Sequence, residues 1–272
     1  MTLEKTKQLL RNYQITPNRL LGQNFMVEPS VYGKLCSYAA LSPSDVVLDS
    51  GAGFGFLSRF LADKCKSVIA VEKDPKVAKA LREHVKSSCN VIVVEGDVLK
   101  EALPDFNKVI AIPPYSLSSH LITWLLECRI DCAVMILQKE FASRLAAIAG
   151  CEDYSWLTVL TYQHAKVEVL DIVPKTAFYP QPEVDSSIVR IKPWTKNPFE
   201  VKDDLFFKQM IKWLFTQRNK KLSKALAPFL KTYLKLSKQD AEQLVLTLPF
   251  QERRARELQP KDFGVLANDI CC

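Results

Sequence analysis

The fold is decided by Asp45-Val-Val-Leu-Asp-Ser-Gly-Ala-Gly-Phe-Gly55, which joins a short apolar run to a cluster of glycines. The apolar run predicts a buried β-strand, and residues 56–64 after the glycines read as a helix. Glycines at such a junction allow a tight turn and let the backbone approach a ligand closely. The spacing Gly-x-Gly-x-Gly differs from the Gly-x-Gly-x-x-Gly of dinucleotide sites, and it also suits a strand–helix turn that binds nothing.

Further apolar runs of strand length follow this stretch, and segments with helical periodicity separate them. The predicted strands are 67–71, 91–94, 108–112 and 133–137, and the predicted helices between and after them are 75–86, 118–127 and 140–149. Asp74 is expected to cap the first of these helices, with Pro75 at its first position. Short apolar strands that alternate with helices indicate an α/β fold with a parallel, doubly wound sheet.

The rest of the chain predicts two more strands and then a small helical domain. The strands are 166–173 and 186–191, and Phe178-Tyr-Pro-Gln-Pro-Glu-Val184 connects them as a stiff loop. Residues 194–198 read as a linker, and helical periodicity follows at 203–215, 218–231, 238–246 and 260–268. We therefore expect a first domain over 1–193 and a C-terminal helical domain over 194–272.

Charge is unevenly distributed along the 272 residues, whose 37 basic and 30 acidic side chains give a net charge of +7. Residues 194–272 contribute 15 basic and 9 acidic side chains, and residues 1–22 contribute 4 and 1. The net charge of the residues between these two ends is therefore near −2. Basic charge at both ends favours a polyanionic partner that both ends contact, although a solvated charged surface explains the charge distribution as well. No apolar run approaches the roughly 20 residues that span a bilayer, and no secretory signal is visible. We expect a cytoplasmic protein with no membrane partner.

The eight cysteines do not predict a metal site. They form no Cys-x-x-Cys pair, and no His stands at zinc-finger spacing. We therefore expect no metal ligands in this chain.

Acidic residues end two of the predicted strands. Glu72 ends the strand after the glycine cluster, where a carboxylate can accept hydrogen bonds from both ribose hydroxyls. Asp97 ends the next strand and can accept from the exocyclic amine of an adenine. Each acid also suits a helix start or a turn. Together with the glycines they indicate a nucleoside pocket without a cradle for pyrophosphate, which fits S-adenosylmethionine better than NAD.

The fourth predicted strand ends in Ile112-Pro-Pro-Tyr115. Two prolines fix the backbone, so that carbonyl oxygens can face a substrate, and the Tyr115 ring can stack on a flat base. The same sequence also suits a rigid turn without a substrate, in which the tyrosine only packs against its neighbours.

With these motifs in place, the chain from about Leu21 to Ala225 resembles the small-subunit ribosomal RNA adenine-N6,N6-dimethyltransferases. The resemblance rests on the glycine loop, on Glu72 and Asp97, and on four runs of sequence, of which the first and third are the most specific. The runs are Leu21-Gly-Gln-Asn-Phe25, Leu137-Gln-Lys-Glu140, Phe178-Tyr-Pro-Gln-Pro-Glu-Val-Asp-Ser186 and Phe215-Thr-Gln-Arg-Asn-Lys220. It implies a Rossmann-like class I methyltransferase sheet with a small C-terminal helical domain.

The resemblance also implies roles for individual residues. Gln23, Asn24 and Met26 would cover the cofactor S-adenosylmethionine. Gly51 and Gly53 would contact its methionine part, Glu72 its ribose, and Asp97 with Val98 its adenine. The catalytic set would be Ile112, Pro113, Pro114, Tyr115 and Phe178, with Ile112 also at the cofactor and Phe178 facing Tyr115 across the target base.

The sequence departs from the family at two places. The family has Asn-Leu-Pro-Tyr or Asn-Ile-Pro-Tyr where this chain has Ile112-Pro-Pro-Tyr115, and Tyr-Gly-Arg-Leu where it has Tyr154-Ser-Trp-Leu157. The missing Asn matters because an adenine amino nitrogen is a poor nucleophile, and acceptors that bind its hydrogens aim its lone pair at the methyl group. Ile112 keeps the backbone carbonyl and lacks the side-chain acceptor.

Three functional hypotheses follow. The first is an enzyme that dimethylates adjacent adenosines at N6 near the 3′ end of small-subunit rRNA in the immature small ribosomal subunit, and that acts as a monomer. In this hypothesis the rRNA phosphates bind to four basic side chains of the enzyme, Arg218, Lys220, Lys221 and Lys224. The same side chains also suit a solvated helix face. The second is an RNA-binding ribosome assembly factor without catalysis. The third, a methyltransferase acting on protein or a small molecule, leaves the basic ends and the Phe178 loop unexplained.

Overall fold

The strands and helices described here belong to a computed structural model that describes residues 3–18 and 22–271. Leu21, the first residue of the Leu-Gly-Gln-Asn-Phe run, lies outside the described residues. The strands are β1 (Phe25–Met26), β2 (Val46–Ser50), β3 (Ser67–Glu72), β4 (Val91–Glu95), β5 (Lys108–Ala111), β6 (Cys132–Gln138), β7 (Ala165–Val173), β8 (Phe178–Tyr179) and β9 (Ser186–Pro193). The α-helices are α1 (Leu3–Asn12), α2 (Ser30–Tyr38), α3 (Phe56–Ala62), α4 (Pro75–Val85), α5 (Ser118–Leu125), α6 (Lys139–Leu145), α7 (Trp156–His164), α8 (Asp204–Thr216), α9 (Leu222–Tyr233), α10 (Lys238–Thr247) and α11 (Pro260–Ile270).

Seven of the described strands form one sheet in the order β4-β3-β2-β5-β6-β9-β7, while β1 pairs with β8. Strands β2 to β6 are parallel, and β9 runs antiparallel to β6. The prediction of an α/β doubly wound sheet is confirmed, but the prediction that all its strands are parallel is wrong for β9. Between β6 and β9 the chain passes through α6, α7, β7 and β8, so the two strands are not the ends of a single βαβ crossover.

Helix α4 begins where the sequence predicts. The Asp74 side chain accepts hydrogen bonds from the N–H groups of Lys76 and Val77, and Pro75 occupies the first turn. The cap therefore fixes the start of α4 directly after the end of β3, which places Glu72 and Asp74 at the same sheet edge.

The chain folds into two compact units. Unit 1 comprises the residues up to Ala142 together with Val167–Pro193, and unit 2 comprises Ser143–Lys166 together with the residues from Trp194 onward. The boundary at Pro193 coincides with the one expected from the sequence, whereas the sequence places Ser143–Lys166 in the first domain. Within unit 2 this segment is held by the fully buried Tyr154, whose hydroxyl donates to the Leu258 carbonyl at 2.9 Å.

Two helices of unit 2 differ from the sequence prediction. Helix α7 is not apparent in the sequence because six of its nine residues are buried, and a helix that is buried nearly all round shows no amphipathic period. Helix α9 begins at Leu222 and not at Arg218. Lys221 forms an isolated β-bridge with Arg254, and the Leu222 N–H donates to the Arg253 carbonyl at 2.8 Å.

A buried lysine links the N-terminal ends of β2 and β5 to the residues that follow α2. The Lys108 ammonium lies 2.9 Å from Asp45 Oδ2 and donates to the carbonyls of Ala39 and Ala40, at 2.9 and 2.6 Å. Burial opposes ionisation of Asp45, but hydrogen bonds from Asn107 and Lys108 outweigh it and lower the pKa of this carboxyl. The end of α2 is thereby joined to the start of both strands.

A second buried acid lies at the other end of β2. Asp49 is 1% exposed, and the Ser58 hydroxyl of α3 donates to its Oδ2 at 2.6 Å. Burial raises the pKa of Asp49 to about 7 against the opposing effect of the Ser58 hydrogen bond, and the charge of Glu72 adds to the increase. This contact docks the start of α3 on the strand that carries the glycine loop.

We expect Lys108→Met to lower the free energy of unfolding by about 3 kcal/mol, because Asp45 would stay buried without its cation. Urea unfolding followed by circular dichroism at pH 7 measures the change. Lys79→Met, at an exposed lysine of α4, is the control and should stay within about 0.5 kcal/mol of wild type. A loss no larger than that of the control would contradict the role given to Lys108.

Asp49 should make stability depend on pH. Between about pH 4 and pH 7 the folded chain holds the Asp49 proton that the unfolded chain has lost, so the stabilisation from this group is full below pH 4 and is lost as pH rises through 7. Between pH 5 and pH 8, wild type should lose about 2 kcal/mol more unfolding free energy than Asp49→Asn. Asp105→Asn, at an exposed acid, should follow wild type. Parallel pH profiles of wild type and Asp49→Asn would refute the assignment.

Candidate functional site

A cavity of about 260 Å³, here called the strand-end cavity, lies in unit 1 at the carboxyl ends of β2, β3, β4 and β5. The strand order reverses between β2 and β5, and ligands of open α/β sheets bind outside such a reversal. The N-terminal segment and the glycine loop contribute Gln23, Asn24, Gly51 and Gly53 to its lining. The strand ends contribute Glu72, Asp97, Val98, Ile112 and Pro114.

The structure brings most of the predicted site residues together here. Met26 lines a smaller adjoining cavity of about 50 Å³, which Asn24, Gly51, Gly53 and Ile112 share. Pro113, Tyr115 and Phe178 line neither of these two cavities.

The glycine loop needs its glycines for conformation and for space. Gly51 and Gly53 have φ angles of 74° and 57°, which side chains disfavour. A Cβ atom on Gly51 would lie 2.6 Å from Cδ of Pro114. The loop therefore lies against the turn that follows β5, and a substitution at Gly51 would push the two apart.

Glu72 is the acceptor that holds this loop. Its Oε2 accepts from the Gly53 N–H and its Oε1 from the Asp74 N–H, both at 2.9 Å. Burial raises the pKa of Glu72 despite these two hydrogen bonds. Each carboxylate oxygen has a second lone pair, so Glu72 can accept two further donors from the cavity, and such donors would offset the cost of burying its charge.

Asp97 is held differently. Its Oδ1 accepts from the Leu99 N–H at 3.1 Å, and Oδ2 lies 3.1 Å from the Lys73 ammonium. Burial opposes ionisation, but the Leu99 hydrogen bond and Lys73 outweigh it and lower the pKa of Asp97. Next to it, Val98 is 3% exposed and provides an apolar wall. A carboxylate beside an apolar wall suits a flat base with an exocyclic amine.

The N-terminal segment forms another wall, anchored by a residue that the sequence motifs do not place in the site. Gln23 Nε2 donates to Asp74 Oδ2 at 3.1 Å, and Gln23 Oε1 accepts from the Asn18 N–H at 2.9 Å. Asn24 donates to the Gly22 carbonyl. Asp74 thus caps α4 and anchors Gln23. Its capping role is visible in the sequence, whereas its second role depends on a contact 51 residues away in the chain.

The turn after β5 combines a buried proline with a fixed tyrosine. Pro113 is buried and Ile112 is half-buried. The Tyr115 hydroxyl forms a 2.6 Å hydrogen bond with the Ser186 hydroxyl, and Ser186 is fully buried. Ser186 closes a hallmark run of the sequence, but only this contact gives it a role.

Phe178 lies close to Tyr115, as the family resemblance implies. The ring centroids are 6.4 Å apart with an interplanar angle of 68°, and Phe178 is 2% exposed. Both rings cannot stack on the same flat base at this angle. A base between facing rings therefore stays a prediction that requires one ring to turn.

The basic residues predicted to bind RNA lie in unit 2 and differ in their contacts. Arg218 is half-buried, and its guanidinium donates to the carbonyls of Glu152 and Cys151 at 2.9 and 3.2 Å. Lys220 donates to Gln217, Lys221 pairs with Glu252, and Lys224 is exposed on α9. Arg218 therefore fixes a loop, while the three lysines present their ammonium groups at the surface.

The second departure from the family pattern has a local structural explanation. Ser155 caps α7 in a reciprocal arrangement with Thr158. The Trp156 ring that follows this cap contacts α8, since the Lys212 ammonium lies 4.8 Å from its centre.

Membrane-spanning helices and metal-ligand clusters are both absent from the described residues. No helix among residues 3–18 and 22–271 is long and apolar enough to cross a membrane. Within the same ranges, no three His, Cys, Asp or Glu side chains are grouped so as to hold a metal ion.

Comparisons with known proteins agree with this geometry. A family model described as ribosomal RNA adenine dimethylase matches residues 15–245. The chain is 38% identical over 266 residues to the "Probable ribosomal RNA small subunit methyltransferase A" of Methanosarcina mazei, covering 97% of this chain and 96% of the relative. It is 33% identical over 278 residues to the ribosomal RNA small subunit methyltransferase A of Halothermothrix orenii, covering 97% and 92%.

Solved structures show the same likeness. A dimethyladenosine transferase from Plasmodium falciparum has a TM-score of 0.75 and 28% identity, covering 89% of this chain and 95% of its own. The 23S rRNA methyltransferase ErmE has a TM-score of 0.66 and 27% identity, covering 92% and 100%. Because the family model and the relatives span most of the sequence, the chain belongs to the ribosomal RNA adenine dimethylase family.

Proposed function

We propose that this protein transfers methyl groups from S-adenosylmethionine to N6 of adjacent adenosines near the 3′ end of small-subunit rRNA. The observation that carries the proposal is the pair of carboxylates, Glu72 and Asp97, which ends two neighbouring strands in one cavity beside the glycine loop and the Pro-Pro-Tyr turn. Family membership supports the reaction and the cofactor.

The cavity residues fit the cofactor group by group. Glu72 has lone pairs for the two ribose hydroxyls, and Asp97 with Val98 suits the adenine. Gly51 and Gly53 bring backbone close to the methionine part, while Gln23, Asn24 and Met26 cover it. When bound, S-adenosylmethionine supplies an electrophilic methyl group on its sulfonium.

The chain's part in the chemistry is to position the adenine amine. Ile112 is half-buried, lines both cavities and packs on the core of unit 1. These contacts support a role for its backbone carbonyl as an acceptor for the adenine amine. Acceptors for the two amine hydrogens direct the nitrogen lone pair toward the methyl group. Pro113 and Pro114 restrict the backbone that carries these acceptors.

Tyr115 and Phe178 supply the aromatic surface for the base. The hydrogen bond to Ser186 fixes the Tyr115 ring, so this ring is the platform on which the adenine stacks. Phe178, held in β8 opposite Met26 of β1, then contacts the base with its edge, unless the base turns it.

The RNA partner is the immature small ribosomal subunit, and the chain acts as a monomer. We place rRNA phosphates on the exposed Lys220, Lys221 and Lys224 of unit 2. Arg218 supports these contacts through the loop that it holds.

Ile112 favours a second candidate function. Without a side-chain acceptor at this position, the same fold can serve as an RNA-binding ribosome assembly factor that transfers few or no methyl groups. The two functions differ in whether label from methyl-labelled cofactor enters unmethylated small subunits.

Glu72→Ala should weaken S-adenosylmethionine binding by at least about 1.5–3 kcal/mol, because two charge-assisted hydrogen bonds to the ribose are lost and the Gly53 N–H loses its acceptor. Isothermal titration calorimetry measures the change. Glu95→Ala is the matched control, since Glu95 is the register partner of Glu72 but pairs with Arg82 outside the cavity, and it should bind like wild type. Unchanged affinity in a folded Glu72→Ala variant would exclude the ribose assignment.

Ile112→Asn should raise the single-turnover rate of methyl transfer by at most about 10²–10³, the effect of one polar contact to a reacting group. Cofactor affinity should change little, and Ile112→Val, which adds no acceptor, should keep the wild-type rate. A slower Asn variant beside a fully active wild type would show that the backbone alone suffices. No transfer by either variant on immature subunits would favour the assembly factor.

A further inference from the structure

A groove of about 430 Å³ lies on unit 1 between α1, α2, α3 and α4, and its lining shares no residue with the strand-end cavity. Its rings are Tyr32, Phe56, Phe60 and His84, and we call it the aromatic groove. The reaction described above uses none of these residues.

The rings of the aromatic groove form two adjacent pairs. The centroids of Phe56 and His84 are 4.4 Å apart, and those of Tyr32 and Phe60 are 5.6 Å apart. Burial, followed by the charges of Lys5 and Arg59, holds the pKa of His84 below its usual value. The imidazole is therefore an uncharged ring at neutral pH, and the half-buried rings that line the groove are Phe56, Phe60 and His84, whereas Tyr32 is 4% exposed.

Cations surround these rings. The Lys5 ammonium lies 5.5 Å from the centre of Phe56, and the Lys64 ammonium lies 4.9 Å from the centre of Phe60. Arg59 lines the groove and is exposed, and Asp63 is the acid in its described lining. Within the described lining, Lys5 and Arg59 stand against Asp63, so the lining of the aromatic groove has a net positive charge.

We propose that the aromatic groove binds a single-stranded stretch of the rRNA substrate, away from the adenosine that reacts. Proteins hold single strands with cations along the backbone and aromatic side chains under the bases, and this groove has both. The proposal rests on the proposed function, from which it takes the RNA partner.

The lysines over the rings do not block such binding. An exposed ammonium over a ring is held more weakly than a stacked base. Lys64 can therefore move from the Phe60 ring to a phosphate while a base occupies the ring face. The charge of the groove favours a polyanion over an apolar protein segment as its occupant.

The test compares the full-length protein with Lys5→Gln/Arg59→Gln, using unmethylated small-subunit rRNA in filter binding from about 50 to about 200 mM salt. Each phosphate contact to a single strand contributes about 0.7 to the log–log slope, so the double variant should lower the slope by about 1.4. Lys79→Gln/Lys86→Gln removes the same charge from exposed lysines of unit 1 outside the groove, and it should keep the wild-type slope. Lys220→Gln/Lys221→Gln tests the contacts of unit 2 in the same assay and should lower the slope equally.

A second variant separates stacking from charge. Phe60→Leu should weaken rRNA binding by about tenfold at fixed salt and leave the slope unchanged. Circular dichroism checks its folding, and the charge variant decides the proposal if Phe60→Leu does not fold.

Methyl transfer to a short oligonucleotide that carries the acceptor adenosines distinguishes this proposal from the one on which it rests. The groove variants should methylate the oligonucleotide at the wild-type rate, because it is too short to reach the groove. No transfer by wild type to unmethylated immature small subunits would contradict the proposed function, whereas the salt slopes test the groove without any methyl transfer. A slope equal to wild type in Lys5→Gln/Arg59→Gln, or an equal decrease in the Lys79→Gln/Lys86→Gln control, would overturn the groove.

Discussion

The hydrogen bond from the Gly53 N–H to the Glu72 carboxylate joins the loop after β2 to the end of β3, and the rest of the site depends on it. The loop reaches Glu72 because its glycines adopt left-handed backbone angles. The same conformation places Gly51 against Pro114. The ends of β2, β3 and β5 therefore meet at this loop, with the Glu72 carboxylate on one side and the Pro114 ring on the other, and a side chain at Gly51 would collide with that ring.

The acids around this junction differ in what they need from a ligand. Burial raises the pKa of Glu72, whereas Leu99 and Lys73 lower that of Asp97. Hydroxyl or amine donors would relieve the buried charge of Glu72, and a phosphate would aggravate it. The cavity therefore suits the neutral hydroxyl and amine donors of a nucleoside.

The turn after β5 has an isoleucine, Ile112, where the family resemblance leads us to expect an asparagine. Ile112 brings no side-chain acceptor, so any selectivity for the adenine amine falls on backbone carbonyls that the prolines restrict. The Tyr115–Ser186 hydrogen bond orients one ring against a strand of the central sheet. In the proposed function, methyl transfer would then depend on how the Tyr115 ring and the backbone position the adenine.

The sequence by itself determined the α/β class, the parallel strands β2 to β6, the cap at Asp74 and the residues at the strand ends, because each depends on local periodicity or on backbone rules that act over a few residues. The tertiary structure decided what depends on contacts between distant segments. In the folded chain β9 runs antiparallel to β6, and Ser143–Lys166 belongs to the unit of the C-terminal helices, where Tyr154 contacts Leu258. The Arg218 guanidinium donates to the carbonyl of Glu152 in a loop of the same unit. The tertiary structure also paired Gln23 with Asp74 and assembled the aromatic groove from four helices. Hydrogen bonds and burial between residues far apart in the chain leave no period or spacing in the sequence, and for that reason only the folded chain shows them.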